Sequence, residues 1–435
     1  MDLGDKRRDK RAIKMMEGFS AMPTGSIPQA CGDWADTLGA YRFFDNDAFE
    51  WTDILQPHIQ SSMARMAALP VVLCIQDTTE LDFNGQQATG LGPLSYAPQR
   101  GMYLHPTYAV STTREPLGVL DAWMWAREAK NTDGTRPGVS ESLRWTEGYE
   151  RLAEMAPLLP LTRLVYLADR EADIMELMLR ARELQTPVDW LVRSKHNRAL
   201  GEGTKLWSQV TATQALGTIR FNMPSRLGKS AREVEQQVWT KTVQLRDGKG
   251  GFVTASCIVA RETTPPAGEK AIEWRLLTNR TVATLAQATM MIDWYRARWE
   301  IEMFFHVLKN GCRVEALQLG EIERIERAVV MYMIVAWRIA RLMRLGRSCP
   351  ELDAALMFEP DEWRAAYILN KEKIPDKTPT LNAVVRLIAR LGGFLARKGD
   401  GEPGVKTIWL GMQRIIDFAA GIRFSRELLA QGSCV

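Results

Sequence analysis

The chain lacks paired cysteines, clustered histidines and any long apolar run. Its six cysteines (Cys31, Cys74, Cys257, Cys312, Cys349 and Cys434) include no Cys-x-x-Cys pair, and its four histidines (His58, His105, His196 and His306) are equally scattered. This spacing excludes a disulfide framework and a structural zinc site, and it fits reduced thiols. The longest apolar run, Ala328 to Trp337, is too short to span a bilayer, and Met-Asp-Leu-Gly-Asp at the start has no signal-peptide core. A soluble protein of the cell interior, with no membrane partner, is therefore expected. A large charge excess is missing too: 56 basic against 52 acidic residues leave +4, so any preference for an anionic partner must come from where the charges lie. With 435 residues, 46% of them apolar, the chain has material for a large core and two to four domains.

What is present falls into blocks. Near the start, Arg7, Lys10, Arg11 and Lys14 share one face of a helical pattern that also contains Lys6 and Arg8, a density of cations suited to phosphates. Terminal charge runs are also often just solvated, and Gly39-Ala40-Tyr41-Arg42-Phe43-Phe44 either docks on a duplex or closes a three-helix core. The period then changes. Pro70 to Gln76 is a continuous apolar run of strand length closed by Asp77-Thr78-Thr79, the pattern of a strand buried on both faces. Tyr103–Ser111 and Leu117–Trp125 read as further strands, and Ser140–Ala156 reads as a helix with Ser140 as its N-cap. Leu164 to Ala168 is a second short buried strand ending in an acid, Asp169, where another helix opens, and Val188 to Arg193 leads into Ser194-Lys195-His196. From about residue 198 to 267, alternating stretches (Gly217–Met223, Val234–Leu245, Phe252–Arg261) predict a mostly β insertion with basic loops at Arg226, Lys229, Arg232 and Lys249. Glu273–Thr278 reads as a return strand, and the chain is helical and apolar-rich beyond Gly311.

One helix is predicted from about Val282 to Lys309. At roughly 100° per residue, Tyr295, Arg298, Glu302 and Lys309 fall within an arc of about 60°, while Ile301, Phe304 and Leu308 form an apolar arc. Spacing alone reads this as an amphipathic helix with solvated charges. Asp77 and Asp169 change the weighing: if their strands are adjacent, two carboxylates converge at a sheet edge and Glu302 supplies a third. Hard oxygen ligands of this kind suit Mg²⁺ or Mn²⁺, and two such ions suit in-line displacement at a phosphodiester. Each aspartate on its own would serve equally as a cap for the turn that follows it.

The ordered set Asp77-Thr78-Thr79, Asp169-Arg170-Glu171-Ala172-Asp173-Ile174 and Tyr295-(two)-Arg298-(three)-Glu302-(six)-Lys309 resembles bacterial cut-and-paste DDE transposases with the Tyr-Arg-Glu-Lys signature, the Tn-five-like enzymes of insertion sequences. Gly39–Phe43, Val192–His196, Trp274–Thr278 and Ala389–Phe394 resemble that group's segments in the same order, so the likeness spans nearly the whole chain. It implies an α/β fold with a ribonuclease H-like core interrupted by the β insertion. The implied division is an N-terminal helical DNA-binding module at 1–56, core at 57–197, insertion at 198–267, core with the Glu302 helix at 268–345, and a helical dimerisation region at 346–435. It also implies Asp77, Asp169 and Glu302 as catalytic ligands of two Mg²⁺ or Mn²⁺ ions. The implied activity is end nicking, hairpin formation and opening, and strand transfer on double-stranded DNA, transposon ends and target alike, by a homodimer in a bacterial cytoplasm near the nucleoid. Tyr295, Arg298 and Lys309 match positions that grip phosphates, and Trp274 matches an aromatic on which a flipped base stacks, against the alternative of a core tryptophan. Arg170, Arg193, Lys195 and His196 match segments near the cut; Arg8, Arg11 and Arg42 match positions that read the transposon end. The module starts close to its basic helix, so a helix seen before it in relatives is expected to be missing, and His306 is expected only in a supporting role. The competing readings are a metal-dependent nuclease of the same fold without strand transfer, and a non-catalytic DNA-binding descendant.

Overall fold

The computed structural model describes residues 2–96, 98–138, 140–200, 203–223 and 231–432; Arg226 and Lys229 of the expected basic loops and Cys434 lie outside them. Four helices come first: α1 Lys6–Ala21, α2 Ile27–Cys31, α3 Trp34–Phe44 and α4 Trp51–Met66. The strands β1 Val71–Gln76, β2 Thr79–Asp82, β3 Gly92–Pro93, β4 Arg100–Ser111 and β5 Pro116–Trp125 follow. Alternation then takes over with α5 Leu143–Met155, β6 Arg163–Ala168, α6 Met175–Glu183, β7 Asp189–Arg193 and α7 Leu206–Thr211. Next come β8 Gly217–Met223, β9 Arg232–Arg246, β10 Phe252–Glu262 and β11 Glu273–Thr278. The chain ends in helices α8 Leu285–Arg296, α9 Trp299–His306, α10 Ile322–Ser348, α11 Pro360–Leu369, α12 Leu381–Leu391 and α13 Val405–Gly432.

The described strands form one sheet of 11, with the path β2-β4-β1-β6-β7-β11-β10-β9-β8 and with β3 and β5 on β4. Only β1, β6 and β7 run parallel to one another. They are buried on both faces, which is why they read as unbroken apolar runs. Leu73, Ile75, Val165 and Leu167 point into a core shared with α4 and α8 to α13, and Val72, Cys74, Tyr166 and Val192 into a second core under α5, α6 and α7. The β-rich stretch is no separate sheet: β11 pairs with β7 through Leu276↔Arg193, so β8 to β11 extend the main sheet at one side.

Three sequence expectations shift in detail. The helix expected from Ser140 starts at Leu143 with Ser142 at the N-cap position and no side-chain cap bond, because the Ser140 and Ser142 hydroxyls bond each other at 2.8 Å. The expected boundaries after 56 and 345 both fall inside helices, α4 and α10. Helix α4 belongs to the sheet as much as to the N-terminal helices. The Val119 N–H donates to His58 Nε2 (3.1 Å), Arg65 Nε donates to the Leu117 carbonyl (2.7 Å), and a side chain at Gly118 would collide with Ser62. Burial accordingly holds His58 neutral, its pKa pushed down to about 3. Among the described residues no helix is long and apolar enough to cross a membrane.

Candidate active site

Strands β1 and β6 are parallel neighbours with Gln76 opposite Ala168, so the next residues, Asp77 and Asp169, leave the sheet side by side. Each carboxylate is steadied by a backbone N–H of its own loop. Thr78 N–H donates to Asp77 Oδ1 (2.9 Å), and Glu171 N–H donates to Asp169 Oδ1 (2.7 Å) at the start of a 3₁₀ turn, Arg170–Ala172. The capping role open to Asp169 is thus real, and it leaves the second carboxylate oxygen of each acid uncommitted to that bond. This places two acids where ligands of open α/β sheets gather, outside the carboxyl ends of parallel strands.

The helix bearing Glu302 departs from expectation. It is not continuous: α8 stops at Arg296, and Arg298, Glu300 and Ile301 donate to carbonyls three residues back, a 3₁₀ tightening, before α9 resumes. A π turn, Val307–Gly311, follows, with Cys312 N–H donating to the Val307 carbonyl (2.8 Å). Over-winding and then under-winding the helix breaks the single charged arc. Lys309 donates to the Glu80 carbonyl (2.8 Å) and pairs with Glu315 (3.0 Å). Arg298 stays, in contact with Asp77 Oδ2 and 3.5 Å from Glu302 Oε1. Buried Tyr295 lies near Arg298, Arg193 and Asp169, its hydroxyl pKa raised by burial. Glu300 anchors α9 to α10 through Arg344.

Charge is balanced tightly here. Burial pushes the Asp77 carboxyl up to about 6 despite the opposing pull of Arg298 and the Thr78 N–H, and Asp169 and Glu302 push the same way. Burial works against the charge on Arg298, but Asp77, Tyr295, Glu302 and Asp169 outweigh it and raise its pKa. Among the described residues no three His, Cys, Asp or Glu side chains stand together as a ready metal cage; the guanidinium of Arg298 sits between the acids instead. Carboxylate oxygens such as those of Asp77, Asp169 and Glu302 are the ligands that hard divalent cations take.

Around the acids, Arg170, Arg193, Lys195 and His196 are exposed and form no ion pair among the described residues. The Lys195–His196 segment is held by a residue the sequence did not single out for that task. Buried Asp173 accepts from both backbone N–H groups (2.6 and 2.9 Å) and pairs with Arg198. Trp274 is half-buried and stacked on Phe221 of β8, centroids 5.4 Å apart and planes 18° apart, with Arg296 over both rings. Trp299, 64% exposed beside Arg298, is a second aromatic at this face. Only its position next to the signature arginine could have flagged it in the sequence. Phe221 carried no signal, since its partner lies 53 residues on in another strand. Arg11 is engaged by Asp36 of α3 at 2.7 Å, and Lys14 by the same acid; Arg8 donates to the Leu3 carbonyl (3.0 Å), while Arg42 is exposed.

The fold is thus a mixed α/β one that sets two acids at the ends of adjacent parallel strands. Three family models specify it further: a transposase DNA-binding domain at residues 1–49, a transposase DDE domain at 146–338, and a Tn5 transposase dimerisation domain at 334–432. The chain belongs to the Tn5-like DDE transposases of insertion sequences: it is a DNA transposase that binds DNA and dimerises, and it depends on a divalent metal. The DDE match contains Asp169 and Glu302 and begins after Asp77. Among solved structures, a piggyBac transposase synaptic complex with hairpin DNA aligns with 91% of this chain and 74% of that chain at 9% identity; its TM-score of 0.36 is too low to bear on the assignment.

Proposed function

We propose that the chain carries out cut-and-paste transposition at a site whose metal ligands are Asp77, Asp169 and Glu302, on a ribonuclease H-like core extended by β8 to β11. The observation that carries this reading is the parallel register of Gln76 with Ala168, which sets Asp77 beside Asp169, with Glu302 joined to Asp77 through Arg298. These acids would hold two Mg²⁺ or Mn²⁺ ions, which supply activation of the attacking oxygen and stabilisation of the leaving one. Arg298 makes the site self-neutralising without DNA. A backbone phosphate drawing the guanidinium away would release the Asp77 and Glu302 carboxylates.

The reaction order carried over from the family is nicking by water, attack of the freed 3′-hydroxyl on the opposite strand to close a hairpin, opening of the hairpin, and joining to target DNA. At each step an oxygen–phosphorus bond forms as another breaks. Arg298, Tyr295 and Lys309 bind phosphates near the cut; Lys309 must leave Glu315 to do so. Arg170, Arg193, Lys195 and His196 contact the flanking backbone. The Trp274–Phe221 pair offers a face for an unpaired base when the hairpin closes. Arg8, Arg11 and Arg42 read the end, with Arg11 exchanging Asp36 for a phosphate.

The test mixes purified protein with linear DNA bearing the element's terminal repeats and Mg²⁺. Cleavage with hairpin ends is expected, falling about 10³-fold in Asp77→Asn, Asp169→Asn or Glu302→Gln while end binding persists. A variant that cleaves at the full rate removes its residue from the site.

A further inference from the structure

The two aspartate loops are tied together by a side chain outside every motif discussed so far. Arg144, on the first turn of α5, is only 6% exposed and lies between the indoles of Trp125 and Trp145, its guanidinium carbon 5.3 and 5.1 Å from the ring centres. Nε donates to Thr78 Oγ1 (3.2 Å), Nη2 donates to Glu171 Oε2 (2.9 Å), and Nη1 donates to the Glu141 carbonyl. Thr78 is held from its other side by His105 Nδ1 (2.9 Å), itself linked to Gln76 (3.3 Å). The two residues Arg144 grips are the same two whose backbone N–H groups orient the carboxylates, Thr78 for Asp77 and Glu171 for Asp169.

We infer that Arg144 is a positioning residue that sets the spacing of Asp77 and Asp169 by bridging Thr78 to Glu171. This rests on the reading of both aspartates as metal ligands. The geometry supports it in three ways. Strands β1 and β6 fix the two loops only up to Gln76 and Ala168. Beyond the last ladder pair, the Arg144 guanidinium spans the gap between the loops. A planar fork with donors on several sides serves that purpose where a lysine ammonium does not. Partners behind metal ligands of this kind typically change metal affinity about 10–100-fold when removed.

Direct Mn²⁺ binding without DNA, followed by loss of the free-ion EPR signal, tests the inference independently of turnover. Arg144→Gln should weaken Mn²⁺ binding by about ten-fold or more. The sign is diagnostic, because deleting a nearby cation by electrostatics alone would tighten it. Should Arg144→Gln fail to fold, Glu171→Ala decides, since that side chain is half-exposed. It should weaken Mn²⁺ binding similarly with an unchanged melting temperature, and Glu171→Gln, which keeps an accepting oxygen, should restore most of the loss. Equal losses in Glu171→Ala and Glu171→Gln would overturn the bridge in favour of simple charge, and unchanged or tighter binding in Arg144→Gln and Glu171→Ala would overturn it outright. Asp77→Asn and Asp169→Asn separate the two levels. If they abolish Mn²⁺ binding while Glu171→Ala leaves it at the native level, the bridge alone fails; if they leave it intact, the metal-ligand reading fails and the bridge with it.

Discussion

Asp77 is pulled in two directions. Its burial favours the neutral acid, Arg298 and the Thr78 N–H favour the carboxylate, and burial wins, leaving a pKa of about 6 against an ordinary 3.8. The consequence for stability runs opposite to that of a salt-bridged surface acid. Below pH 3.8 both folded and unfolded chains hold the proton and Asp77 contributes nothing. As pH rises toward 6 the unfolded chain ionises first, so the folded state loses stability, and above about 6 the penalty is constant. Its upper bound is about 3 kcal/mol, at 1.36 kcal/mol per pKa unit. Urea denaturation in EDTA between pH 4 and 7 should therefore show the native chain losing more stability than Asp77→Asn, by on the order of 1–3 kcal/mol. Parallel curves would show that Arg298 cancels the desolvation of Asp77 completely. The sequence located this acid because an apolar run ending in aspartate is a local signal. It did not locate Arg144, 66 positions from Thr78, or the pairing of Arg11 with Asp36, because nothing in local spacing encodes which distant acid a cation meets.

At the scale of elements, the strands were legible and the Glu302 helix was only half so. Strands β1, β6 and β7 are short, buried on both faces and closed by polar residues, so composition alone marks them. The helix holds no proline or glycine between Val282 and Asn310, and its break is a tertiary event. Ile301 and Phe304 are buried there while Arg298 reaches Asp77 and Glu300 reaches Arg344, contacts with distant residues that local spacing does not encode. A second element-level feature is the crossing of α12 and α13. A Cβ at Gly411 would sit 1.8 Å from the Ile388 carbonyl oxygen, and one at Gly392 would sit 1.9 Å from that of Thr407. The helices therefore touch backbone to backbone. Gly421, on the same helix, has open space around it. Helix propensity alone predicts that Gly→Ala adds about 1 kcal/mol at either site. The expected outcome in chemical denaturation is a gain at Gly421→Ala and a loss of about 1–3 kcal/mol at Gly411→Ala, where the methyl forces the helices apart. A gain at both would mean that the crossing has slack.

For the whole molecule, the catalytic sheet and the dimerisation region meet at the Glu302 helix. His306, one turn past Glu302, packs at a tilt against Trp409 of α13, ring centres 5.5 Å apart, and Gly311 at the end of the π turn also abuts that indole. The first half of α13 is buried against α11 and α12, with Ile408, Met412, Ile415 and Ala419 in the core, and Arg426 pairs with Asp361 at 2.9 Å. Beyond this, Phe424 and Leu428, four residues apart on one face, are 62% and 53% exposed. An aromatic and a leucine left in water at helical spacing, within the segment matched by the dimerisation model at 334–432, are the anchor type that dominates interface energy. Losing each such anchor costs about 2 kcal/mol or more. The double variant Phe424→Asp with Leu428→Asp should therefore bind a single transposon end with native affinity and retain its melting temperature. It should form paired-end complexes at least about 10²-fold less well, as read by gel shift with ends of two lengths and by sedimentation. The dependence of cleavage on this variant reports whether cutting waits for pairing: loss of cleavage along with pairing means that the partner completes or licenses the site, whereas cleavage without pairing means that each chain cuts alone. Native levels of paired-end complex would move the dimer contact off this face of α13.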